Sequence, residues 1–127
     1  MKNNLNYETH KDEVELLKNI LFDKMRIEEE LPEFVLHIDI VPDVQEVPKL
    51  TFIVKINLLP EYPDTEPTVE IEETTNILAS SKIYKLKEEI SEFSKENYGL
   101  PMVYQIYEMI KVKKFINFSL FLGFIKK

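Results

Sequence analysis

The chain has 127 residues, a net charge of −7, and neither cysteine nor tryptophan. That length suits one domain around one core, and the lack of cysteine excludes disulfides, thiolate metal sites and thioester chemistry. No apolar stretch reaches the roughly 18–20 residues of a bilayer span, and the polar N-terminus is not a signal-peptide pattern, so a cytoplasmic location is expected.

The charge is uneven. Residues 1–75 hold 7 Lys/Arg against 18 Asp/Glu, a net −11, whereas residues 76–127 carry a net +4. An acidic front half repels phosphate backbones and attracts basic surfaces. No nucleic acid is expected as a partner; a protein with a basic surface is.

In chain order, the first predicted element is an amphipathic helix over Asp12–Arg26. Val14, Leu17, Leu21 and Met25 recur at helical spacing, with Leu16 and Ile20 widening the stripe, and Thr9 with Asp12 suggests a capping box. Ile27–Pro32, with Glu28, Glu29 and Glu30, reads as a loop that Pro32 closes. Phe34–Val41 alternates, with Phe34, Leu36, Ile38 and Ile40 on one face, as in a half-buried strand. After a turn over Pro42–Pro48, Lys49–Leu58 is a second strand, with Leu50, Phe52, Val54, Ile56 and Leu58 facing in. Thr68–Glu72 is a third, short strand with Val69 and Ile71 inward. A helix capped by Ser80 or Ser81 follows, showing Ile83, Leu86, Ile90 and Phe93 on one face. Gly99 is placed to end it in a left-handed conformation, and Pro101 to open a last helix. Met102, Val103, Ile106, Tyr107 and Ile110 give that helix its apolar side. Grouped strands flanked by helices predict an α+β fold: an antiparallel sheet of three to four strands packed against helices.

Between the second and third strands lies Leu59–Ile71, holding Tyr62-Pro63 and, four positions on, Pro67. Each proline fixes φ and removes a backbone donor, and the residue before it is pushed out of the helical region. A strand leaves the sheet here, turns rigidly and re-enters. The Tyr62 ring can pack beneath the turn while its hydroxyl satisfies a loop backbone group. Three landmarks in order resemble the RWD domain family, over residues 8–112. Val14, Leu17 and Ile20 match its first helix. Tyr62, Pro63, Pro67 and Val69 match its Y-P-x-x-x-P-x-I turn, with valine where isoleucine is common. Gly99, Met102, Val103 and Tyr104 match its G-x-x-M step into the last helix. The resemblance implies the sandwich shared by RWD domains and ubiquitin-conjugating enzymes, with Tyr62, Pro63, Pro67 and Gly99 as architectural residues.

Residues 113–127 form an apolar C-terminal tail beyond the resemblance, with Phe115–Ile125 framed by lysine pairs. At about 11 residues the run is too short to span a bilayer. A docked element, an interfacial anchor and a disordered or non-native end all fit it, and the last is the expectation.

Ubiquitin conjugation needs a cysteine nucleophile and a nearby asparagine for the oxyanion. This chain has no cysteine and no His-Pro-Asn run. Its two histidines, His10 and His37, show no metal-ligand spacing. Two glycines in all leave no phosphate-cradling loop. No catalytic residue, metal or cofactor is therefore expected. The resemblance implies a non-catalytic protein-interaction module in translation control or stress signalling. It is similar to the RWD domain of the starvation-responsive initiation-factor kinase, which docks on a ribosome-associated activator, and to RWD regulators of developmentally regulated GTPases. The alternative is an inactive ubiquitin-conjugating-enzyme variant that binds ubiquitin or a ubiquitin-like protein. The candidate contact residues are acidic: Glu13 and Glu15 projecting from the first helix, and Glu70 and Glu72 alternating outward from Val69 and Ile71.

Overall fold

The computed structural model describes residues 6–40, 52–73 and 80–111. Helix α1 spans Tyr7–Leu21, and a 3-10 turn, Phe22–Lys24, leads into β1, Met25–Glu29. Strands β2 (Val35–Ile40), β3 (Phe52–Asn57) and β4 (Thr68–Glu73) follow, then α2, Ser80–Glu96. Residues 103–111 form α3. The sheet runs β1-β2-β3-β4, every neighbouring pair antiparallel. The turn expected over 42–48 and the apolar run Phe115–Ile125 fall outside what is described, as do the side chains of Ser80 and Ser81, the first two residues of α2.

The period-two pattern of the strands decides which face is buried. Leu36, Ile38 and Ile40 of β2 and Val54 and Ile56 of β3 are all at most 1% exposed. They meet Val14, Leu17 and Leu21 of α1, Leu86 and Ile90 of α2, and Val103, Ile106 and Ile110 of α3 in one cluster. Each such aliphatic side chain contributes about 1.5–3 kcal/mol when removed from water. The helices thus form one layer on one face of the sheet. The opposite face carries the alternate residues, Arg26, His37, Asp39, Lys55, Glu70 and Glu72, paired across the ladder as Arg26 with His37, His37 with Lys55, and Lys55 with Glu70.

The first helix is displaced from its expected span. It begins at Tyr7 with no side-chain cap, so Thr9 and Asp12 do not mark its start. Tertiary contacts extend it: Tyr7 stacks on Phe34 with ring centroids 5.3 Å apart, and Asn6 Nδ2 donates to the Pro60 carbonyl at 2.8 Å. It stops at Leu21, so Met25 and Arg26 belong to β1, a fourth strand where a loop was expected. Leu16 and Ile20 are 60% and 48% exposed, outside the buried stripe. Each sits about 100° around the helix from its successor, Leu17 or Leu21, which already fills the contact with the sheet.

Helix α1 ends at Phe22, a non-glycine residue at φ 50° that is 79% exposed. A bulky side chain in that region costs about 1–3 kcal/mol, and exposure leaves Phe22 little burial to offset it. Phe22→Gly is therefore expected to stabilise the domain by about 1 kcal/mol after the entropic cost of glycine, raising Tm by a few degrees. A thermal melt showing a lower Tm would contradict this reading.

Candidate functional site

The turn between β3 and β4 carries Tyr62, which is fully buried. Its peptide bond to Pro63 is cis. The hydroxyl donates to Glu13 Oε2 of α1 at 2.9 Å and accepts the Met102 N–H, just before α3, at 2.7 Å. The same carboxylate oxygen accepts the Val103 N–H at 3.1 Å. From the other side, His10 packs its ring against Tyr62, centroids 5.4 Å apart, and its Nε2 bonds the Tyr62 carbonyl at 2.5 Å. A carbonyl only accepts, so Nε2 carries the proton. Gly99, at φ 90°, donates its N–H to the Pro63 carbonyl at 2.8 Å. One turn is thereby fastened to the first helix, to the α2–α3 connection and to the start of α3. Two orphan N–H groups at the start of α3 find their acceptors in Tyr62 and Glu13.

Glu13 corrects a sequence expectation. It does not project to solvent: it is 8% exposed, and its other oxygen, Oε1, is buried with no hydrogen-bond partner, as is His10 Nδ1. Burial raises its pKa above the ordinary carboxyl value, against the lowering effect of its bonds to Tyr62 and Val103. Tyr62 is pushed upward too, by burial first and then by the neighbouring Glu13. The phenol stays protonated, as its donation to Glu13 requires. A signal for this was present: His10, Glu13, Val14, Leu17 and Leu21 form one helical stripe at spacings of three and four. His10, the other buried partner of the turn, was read only as a non-ligand.

The remaining acidic candidates are exposed but do not share a surface. Glu15 lies on α1, in a 3.3 Å pair with Lys18. Glu70 and Glu72 lie on the open face of the sheet, away from the helix layer. On that face Glu28 is already engaged, at 2.8 Å from His37 Nε2 and 3.9 Å from Lys55 Nζ; the His37 bond chiefly holds its pKa low. Pro67 is buried immediately before β4 and sets the entry of that strand.

These features define a class: an α+β sandwich whose tyrosine–proline turn is braced from inside by the first and last helices. The RWD domain model matches residues 8–113, and the chain belongs to the RWD domain family. The solution structure of the RWD domain of mouse GCN2 has the same fold, with a TM-score of 0.67 at 15% identity, covering 88% of this chain and 85% of that one. No curated protein sequence gives a significant match. As a member of this family the chain is a non-catalytic domain. Among the described residues, no group of His, Asp and Glu side chains is placed to hold a metal ion, and no helix is long and apolar enough to cross a membrane.

Proposed function

We propose that this RWD domain is a cytoplasmic protein-interaction module in translation control or stress signalling, and that it takes a basic partner: a ribosome-associated activator or a GTPase. The observation that carries this is the division of polar groups. The buried ones, Glu13 and Tyr62, are consumed in bracing the fold, while Glu70 and Glu72 stand exposed on a sheet face that no described helix covers. Charges so placed steer an oppositely charged surface and fix its register. Glu15, on the helix side and already paired with Lys18, is assigned a weaker, long-range part in that steering.

Affinity capture by the full chain at low and moderate salt tests this. Retention of an activator or GTPase is expected to weaken as salt rises, since exposed charges are screened within about 10 Å at 0.1 M. Glu70→Lys with Glu72→Lys is expected to reduce that retention at least ten-fold while lowering Tm only by a few degrees, since lysine at 70 faces Lys55 across the ladder. Retention of ubiquitinated proteins and ligases in its place would move the assignment to the inactive conjugating-enzyme variant.

A further inference from the structure

Strand β4 is an edge. Its six residues pair with β3 without a break, Thr68 opposite Asn57 through Glu73 opposite Phe52, and among the described residues no strand pairs with its other side. The other edge, β1, is blunted by an irregularity between Ile27 and Glu29, a common device against strand pairing. β4 has no such irregularity. Its inward side chains are also incompletely covered: Val69 and Ile71 are half-buried, whereas Val54 and Ile56 one strand further in are 1% and 0% exposed.

Beside this edge a cleft of about 350 Å³ opens between the start of β4 and helix α2. Leu59, Pro67, Val69 and Ile90 give it apolar walls, with Glu66 and Lys87 also lining it. It lies on the helix side of the edge, where the inward side chain of a fifth strand would point, since strands sit about 4.8 Å apart and side chains alternate between faces.

Resting on the interaction reading above, we propose that β4 accepts an extended basic segment of a partner protein as a fifth strand, lysine or arginine alternating with aliphatic residues. The aliphatic side chains complete the cover over Val69 and Ile71 and enter the cleft; the basic ones lie on the open face beside Glu70 and Glu72. Main-chain hydrogen bonds supply affinity and the alternating side chains supply selectivity, as in other strand-addition complexes. A second copy of this chain does not fit: antiparallel self-pairing about Ile71 sets Glu70 opposite Glu72, and like charges directly opposite are destabilising.

The test is a titration of the ¹⁵N-labelled full chain with an eight-residue peptide alternating lysine and valine, and with the same peptide N-methylated at every residue. The second keeps the charge and side chains but cannot complete a ladder. Expected are shifts concentrated at 68–73, Ile90 and Ser91, slowed exchange of alternate β4 amides, and at least ten-fold weaker binding of the N-methylated peptide. Equal binding of both peptides, with shifts at Glu70 and Glu72, overturns strand addition but leaves the acidic contact surface standing. Shifts confined to other elements, or no binding by either peptide, overturn the docking site; the capture experiment with the charge-reversed chain then decides the interaction reading on its own.

Discussion

Tyr62→Ala is expected to destabilise the domain by about 3–5 kcal/mol, the range for removing a buried aromatic ring. The ring is fully buried, and its hydroxyl links the Met102 N–H to the Glu13 carboxylate. The alanine variant thus opens a cavity, strands the buried Met102 N–H and leaves Glu13 with the Val103 N–H alone. Against a typical domain stability of about 5–15 kcal/mol, such a loss is a large fraction of the total. Tyr62→Phe separates the two contributions. It keeps the ring and removes the oxygen, leaving the Met102 N–H unsatisfied, at a cost of about 1–3 kcal/mol. Urea denaturation of both variants measures the split. A Tyr62→Phe midpoint equal to that of the wild type would show that the hydroxyl bonds contribute nothing.

The second large effect concerns Glu13. Glu13→Ala removes the acceptor of both the Tyr62 hydroxyl and the Val103 N–H, and two stranded buried donors cost roughly 2–4 kcal/mol. Glu13→Gln keeps an oxygen for both. The wild type and Glu13→Gln also differ in their response to pH, because the amide does not titrate. Burial raises the folded-state pKa of Glu13, so its ionised form opposes folding relative to its protonated form. The stability linked to this group is fully present below the unfolded value, about 4.3, and is lost as pH rises through the raised folded value. On acidification from neutral pH the wild type is therefore expected to gain stability relative to Glu13→Gln, the gain being complete near pH 4. Subtracting the variant cancels the other carboxylates, including Glu28, whose shift runs in the opposite direction. Paired urea melts at pH 7 and pH 5 check the sign; a wild type that loses ground to Glu13→Gln at pH 5 would contradict it.

The inward faces of β2 and β3 were legible because strict alternation has only one burial solution. The helix faces of α2 and α3 were legible for the same reason at a period of 3.6. Strand β1 was not: Met25–Glu29 is short, ends in consecutive glutamates and owes its conformation to pairing with β2, a tertiary effect that local pattern does not record. The end of α1 was hidden too, since Phe22 adopts a φ that its residue type disfavours. In the site, the proline spacing marks a rigid turn and the ring of Tyr62 has somewhere to pack. What the sequence conceals is the group that meets the hydroxyl. A glutamate beside Val14 reads as solvated charge, and only contact across 49 positions of chain makes it part of the core.

On the proposed function, an inward network holds the fold and an outward acidic strand takes the partner. The most direct measurement compares three full-length proteins, the wild type, Glu13→Gln and Glu70→Lys with Glu72→Lys, for retention of the basic partner and for Tm in the same buffer. Expected is at least ten-fold loss of the partner by the charge-reversed strand in a chain that stays folded, its Tm lowered only by the few degrees that lysine at 70 facing Lys55 costs, while Glu13→Gln retains the partner. Wild-type retention by the charge-reversed chain, or loss of the partner in a stably folded Glu13→Gln, would contradict the proposed function.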